Sequence, residues 1–121
     1  MAKKNEMMRE LVEELEEKKE DALKMGGEER VKRQHDKGKW DVRKRIDYLF
    51  DEDSFTEFGM HAEFYQNGDR VDDVRAPGDG VVTGWGKVNG QMAVCAAYDF
   101  TVLGGSIGDV TEKKVTRCRE F

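Results

Sequence analysis

Val81-Val82-Thr83-Gly84-Trp85-Gly86-Lys87-Val88, then Asn89-Gly90, then Gln91-Met92-Ala93-Val94-Cys95-Ala96-Ala97-Tyr98 is the stretch on which the fold turns. Asn-Gly readily supplies the paired positive-φ residues of a type I′ turn, so the stretch predicts a β-hairpin. Its second strand is apolar on both faces, whereas a half-exposed strand alternates apolar with polar residues. Both faces therefore need cover. Gly84 and Gly86 leave the first strand without side chains there, which predicts close approach of another backbone or a bulge.

Upstream of the hairpin, Phe55, Phe58, Met60, Ala62 and Phe64 roughly alternate and predict a short strand, with a turn at Asn67-Gly68. Gly68 to Gly80 is acidic and holds the sole proline, Pro77, so an exposed loop is expected. Further upstream the period becomes helical. Glu6 to Met25 carries Met8, Leu11, Val12, Leu15, Ala22 and Leu23 near helical spacing, and Gly26-Gly27 stops it. Glu28 to Lys37 is a second short helix, ended by Gly38. A third starts at Asp41 as N-cap, with Val42, Ile46, Leu49 and Phe50 on one face. Each apolar stripe is narrow, so each helix is expected to bury one side against a larger body.

Charge divides the chain. Residues 1–53 hold 14 Lys/Arg and 16 Asp/Glu, and residues 54–121 hold 7 and 10. The first part is too polar for a core of its own and is expected to be a helical extension of a domain beginning at residue 54. With a net charge of -5 and Lys and Arg interleaved with acids, nothing favours nucleic acid or an anionic membrane as partner. No run approaches the roughly 18 apolar residues of a membrane span, and the Lys-rich start lacks the apolar core of a signal peptide. A soluble intracellular protein is expected, and Cys95 and Cys118 do not make a disulfide framework.

Downstream, Asp99-Phe100-Thr101-Val102-Leu103 leads into Gly104-Gly105-Ser106 and a helix with Ile107, Val110, Val115, Cys118 and Phe121 near one face. Ser106 and Asp109 match a capping box, so this helix is expected to start at Ser106. Backbone N–H groups at a helix start favour an anion, and glycines allow it to approach, so Gly104, Gly105 and Ser106 are the candidate site, with phosphate as one ligand. A plain tight turn explains the same residues, and Asp109 competes for the same positive end. The other reactive residues offer less. His35, His61, Cys95 and Cys118 lack zinc-ligand spacing, so no metal is expected. His35 reads as a surface or helix-packing residue, Asp99 as a strand-end acid satisfied by backbone donors, and Arg43 with Arg45 as ordinary ion-pair partners before an anion site.

Several segments together resemble the start of the carboxyltransferase (β) subunit of biotin-dependent acyl-CoA carboxylases, of the propionyl-CoA carboxylase type. They are Gly27-Glu28-Glu29-Arg30, Gln34-His35-Asp36-Lys37-Gly38-Lys39, Arg43-Lys44-Arg45-Ile46, Phe55-Thr56-Glu57-Phe58, Pro77-Gly78-Asp79-Gly80-Val81-Val82-Thr83-Gly84 and Asp99-Phe100-Thr101-Val102-Leu103-Gly104-Gly105-Ser106-Ile107-Gly108, in the family's order. The resemblance implies an α/β crotonase-like fold, in which β-β-α turns stack into a spiral, with 1–53 as charged helical arms and 54–121 as the first layer of the N-terminal domain. A strand apolar on both faces would lie between such layers.

It also implies transfer of a carboxyl group from carboxybiotin to the α-carbon of an acyl-CoA, with biotin on a separate carrier protein or domain. The enolate oxygen would be held by backbone N–H donors of later glycine-rich turns, beginning with a Ser-Gly-Gly-Ala-Arg type segment that this sequence lacks. The chain is thus expected to be a truncated part of such a subunit, inactive alone. Gly104, Gly105 and Ser106 match a turn near the acyl-CoA site. Implied partners are the remaining carboxyltransferase chain in an oligomer, the biotin carboxylase and the biotin carrier, in the cytoplasm. A biotin-dependent acyl-CoA decarboxylase subunit shares these features, and a helical interaction module is the alternative from a different class.

Overall fold

The computed structural model describes residues 1–63, 65–66, 69–70 and 76–121. Three helices come first: α1 (Ala2–Leu23), α2 (Glu28–Asp36) and α3 (Val42–Leu49). Strand β1 (Thr56–Phe58) follows, then β2 (Tyr65–Gln66), β3 (Asp69–Arg70), β4 (Val81–Val88), β5 (Gln91–Tyr98) and helix α4 (Asp109–Glu120). β1, β4 and β5 form one antiparallel sheet in that order, and β2 pairs with β3.

The hairpin forms as its sequence requires. Val88 faces Gln91 across the turn and the register runs on to Val81 opposite Tyr98. Asn89 at φ 50° and Gly90 at φ 78° supply the positive-φ pair. The bare patch on β4 is a close approach: a Cβ on Gly86 would lie 2.8 Å from the Phe50 ring and 2.9 Å from the Ser54 carbonyl oxygen. On this side of the sheet Met25, Val42, Ile46, Phe50 and Val82 make the core, joined by Phe55, Ala93, Cys95 and Ala97. Asp41 caps α3, its carboxylate accepting from the Lys44 backbone N–H at 2.9 Å. Val42 and Ile46 then fall on the buried face, while Leu49 is exposed.

Helix α4 covers part of the other side, with Phe121 stacked against both Trp85 and Phe58. β5 is an edge strand of this sheet. Its Ala93, Cys95 and Ala97 pack on the core, while Met92 is 60% exposed and Val94 and Tyr98 are open as well. Its two apolar faces thus differ, one covered and one not.

Four expectations need correction. In α1 only Ala22 is buried, and Met8, Leu11, Val12 and Leu15 stand open, because no described element lies against the middle of this helix. The strand expected from Phe55 stops at Phe58: Gly59, at φ 72°, turns the chain, and Met60 and Ala62 are not in it. Phe64 and the turn at Asn67-Gly68 lie outside the described residues, as do 71–75 of the supposed loop. The end of that loop is not exposed, for Pro77–Gly80 form a tight turn in which Gly78, Asp79 and Gly80 are buried under α4. The fourth correction concerns where α4 begins.

Candidate functional site

The chain leaves β5 through Asp99, which is buried and held from several directions. Its backbone N–H donates to the Gly80 carbonyl at 2.8 Å, and its Oδ1 accepts from the Thr101 N–H at 2.9 Å and the Thr101 hydroxyl at 2.6 Å. That hydroxyl in turn accepts the Gly26 N–H at 2.9 Å. A Cβ on Gly26 would overlap the Thr101 carbonyl, so only glycine lets the α1–α2 junction seat here. Burial raises the Asp99 carboxyl above its ordinary pKa, against the bonds from Thr101 that favour its charge. This chain of buried hydrogen bonds fixes α2 beside the segment after β5.

Leu103, Gly104 and Gly105 follow with φ of 46°, 65° and 72°, closed by Gly105 N–H donating to the Val102 carbonyl at 2.9 Å. A left-handed conformation is unusual for leucine, and here the surrounding turn imposes it. Gly104 and Ser106 are exposed, and nothing lies within 4 Å of the place a Gly104 Cβ would take.

Ser106 does not cap the helix. α4 begins at Asp109 with Gly108 as N-cap and no side-chain capping bond. Its first turn is met instead by Asp79, 4% exposed, whose Oδ2 accepts from the Thr111 N–H at 2.6 Å. The Thr111 hydroxyl lies 2.6 Å from the Asp79 carbonyl and 2.8 Å from Oδ2. A Cβ on Gly108 would come within 2.8 Å of that same oxygen. The positive end of α4 is therefore occupied by the protein's own carboxylate, and the expected anion pocket at a helix start is not there. The sequence signal was the buried turn around Asp79, masked by its proline and glycines.

The structure brings a different set of groups to Gly104. Arg30 and Arg33 of α2 and Lys37, which follows its last residue, line a cleft of about 310 Å³ whose other wall includes Phe100, Leu103 and Gly104. Phe100 is 63% exposed. Arg33 has an exposed partner, Glu29, at 3.5 Å. The spacing of these cations is legible in the sequence but was obscured there by interleaved acids. A second cleft of about 320 Å³ has Glu17, Asp21 and Glu63 in its lining against one lysine, Lys18, so acids outnumber cations there.

The remaining candidates have structural partners. His35 Nε2 lies 2.8 Å from Asp41 Oδ2, linking α2 to the cap of α3. Arg43 forks onto Glu57 at 2.5 and 3.1 Å, so it does not join Arg45 in an anion site. Cys118 Sγ lies 3.6 Å from the Cys95 carbonyl, and burial raises both thiols above their ordinary pKa. Among the described residues no three His, Cys, Asp or Glu side chains converge to hold a metal ion.

The family model for the carboxyl transferase domain matches residues 33–121. The chain belongs to this family. It is 44% identical over 110 residues to the carboxyltransferase subunit of propionyl-CoA carboxylase from Haloferax mediterranei, covering 91% of this chain and 21% of that protein. It is 35% identical over 110 residues to the α subunit of methylmalonyl-CoA decarboxylase from Propionigenium modestum, again covering 91% and 21%. Among solved structures it superposes on transcarboxylase 12S with a TM-score of 0.84 at 39% identity, over 93% of this chain and 22% of that one. That structure is a hexamer with methylmalonyl-coenzyme A and methylmalonic acid bound. The chain thus spans about a fifth of the length of these carboxyl transferase relatives. The fold is crotonase-like, with β4, β5 and α4 as a β-β-α unit preceded by the helical arms. No described helix is long and apolar enough to cross a membrane.

Proposed function

We propose that this carboxyl transferase chain supplies part of the acyl-CoA side of a biotin-dependent carboxyltransferase, which moves a carboxyl group from carboxybiotin to the α-carbon of an acyl-CoA. The observation that carries this reading is the likeness to transcarboxylase 12S with its bound methylmalonyl-coenzyme A, combined with the cationic cleft beside the Gly104 turn. Carboxybiotin, on a separate carrier, supplies the activated carboxylate. The residues of this chain bind and orient the other substrate. Gly104, Gly105 and Ser106 present a bare backbone turn against which a coenzyme lies, held in place by Asp99, Thr101 and Gly26. The groups that stabilise the reacting oxygen belong to further chain of such a protein.

In this reading 1–53 form the helical extension and 54–121 the start of the domain. The open face of β5 is covered by further layers of the spiral, and the exposed stripe of α1 joins contacts between subunits. The hexamer of transcarboxylase 12S supports an oligomer; in this reading it acts with a biotin carboxylase and a biotin carrier in the cytoplasm. The likeness to a methylmalonyl-CoA decarboxylase subunit supports a second reading, in which the same site presents a malonyl-type thioester for removal of its carboxyl group.

A chimera tests both readings. The residues of the Haloferax carboxyltransferase subunit that match this chain are replaced by this sequence, and the assembled enzyme is assayed for ¹⁴C-carboxylate transfer to propionyl-CoA and for its release from methylmalonyl-CoA. Transfer within roughly tenfold of the parent is expected, with a Gly104→Val variant raising KM for the acyl-CoA before it lowers kcat. An assembled chimera without transfer would overturn the first reading, and release without transfer would favour the second.

A further inference from the structure

We infer that Asn89, at the tip of the β4–β5 hairpin, is a site of spontaneous covalent modification, losing its side-chain amide through a succinimide when the Asp51 carboxylate releases the turn. In this reaction the Gly90 backbone nitrogen attacks Asn89 Cγ. Its proton passes through solvent to the departing side-chain nitrogen, the Cγ–N bond of the amide breaks, and ammonia leaves. Water then opens the ring at either carbonyl, giving aspartate, or isoaspartate with one more backbone methylene. Glycine hinders the attack least, because no Cβ stands beside its nitrogen.

The turn is open to solvent and yet held. Asn89 and Gly90 are both exposed, so water reaches the amide. The attacking nitrogen is engaged, however, for the Gly90 N–H donates to Asp51 Oδ2 at 2.8 Å and the Asn89 N–H to Asp51 Oδ1 at 2.9 Å. One carboxylate thus grips both central residues of the turn, and hydrogen bonds to a charged acceptor are the stronger kind. Attack requires the Gly90 N–H to be given up, and a negative charge beside it disfavours the amide anion through which the nitrogen reacts. Asp51 is itself fixed. Its N–H donates to the Lys87 carbonyl at 2.8 Å, and the Ser54 hydroxyl accepts the Lys87 N–H at 3.1 Å, so the segment after α3 runs along the end of β4. Conversion undoes this arrangement. Aspartate at 89 would bring a second carboxylate close to Asp51, and isoaspartate would lengthen the two-residue loop that sets Val88 opposite Gln91. The modification is therefore a one-way record of the turn having opened.

Peptide mapping by mass spectrometry tests the inference on the 121-residue chain, incubated folded and in urea in the same mildly alkaline buffer. Conversion is read as a gain of about 1 Da on the tryptic peptide Val88–Lys113, with isoaspartate as a separately eluting product. The chain's other Asn-Gly, Asn67-Gly68, is the reference. In urea Asn89 is expected to convert as fast as Asn67, and Gly90→Ala should slow it there, as attack by the backbone nitrogen requires. In the folded chain Asn89 should convert at least about tenfold more slowly than in urea, since two hydrogen bonds to a carboxylate must open first. Asp51→Ala should recover most of that rate while circular dichroism still shows a folded chain. Asp51→Ser, with one uncharged acceptor, should fall between, and it decides alone if the alanine variant does not fold. Equal rates for Asn89 in the folded chain and in urea, or a folded Asp51 variant as slow as the wild type, would overturn the inference. Asn89 intact in urea while Asn67 converts would overturn it as well.

Discussion

Asp79 does for α4 what the sequence assigned to Ser106. A buried carboxylate accepts from the backbone N–H and is contacted by the hydroxyl of Thr111, itself fully buried, so neither donor is left without a partner. Asp79→Ala would strand the Thr111 N–H, while the hydroxyl keeps the Asp79 backbone carbonyl. It should cost about 2 kcal/mol or more, read as a lower urea midpoint, with Asp79→Asn costing less because an amide oxygen can still accept. Lys114 lies under the same turn, its ammonium donating to the carbonyls of Gly78 at 2.7 Å and Val81 at 2.5 Å. Burial pulls its pKa down from 10.5 to about 8, against the pull of Glu57 and Asp79. The unfolded chain then holds this proton more tightly than the folded one, so its contribution to stability rises as pH climbs from about 8 toward 10.5. Unfolding free energy of the wild type minus that of Lys114→Met should increase between those pH values. A difference that stayed level or fell would contradict this account of Lys114.

Among the elements, the hairpin was legible because Asn89-Gly90 fixes the turn by local sterics, whatever packs around it. The same holds for α3, where Asp41 and the spacing of Val42 and Ile46 give start and buried face together. The start of α4 was not legible, because its cap comes from Asp79, 32 residues away, and no local pattern carries a partner at that distance. α1 was legible as a helix but not in its packing, since amphipathic spacing says that a face is apolar and not what covers it. Gly86 shows an element's shape being set by its neighbour. Its missing side chain admits the Phe50 ring and the Ser54–Phe55 backbone, so Gly86→Ala should cost about 1–3 kcal/mol by thermal or urea unfolding. The corresponding Gly90→Ala change meets no atom within 4 Å, and its penalty should come from the φ of 78° alone.

At the scale of the molecule, the residues alone carried the reading only to an α/β fragment with a hairpin; the layered β-β-α fold was implied by the family resemblance, and the likeness to transcarboxylase 12S bears it out. The site was half legible. Gly104-Gly105-Ser106 stood out by composition, but their use as a helix start did not hold, and the cations that give the region its charge come from α2, about 70 residues earlier in the chain. Only the fold joins them, through the contact of Gly26 with Thr101. The account therefore stands on a coenzyme lying between α2 and the turn after β5. Photolabelling with 8-azido-coenzyme A, followed by peptide mapping, tests this most directly. The label should fall on peptides containing Arg30–Lys37 or Phe100–Ser106 and be displaced by excess coenzyme A; label confined to other peptides, or undiminished by the competitor, would contradict it.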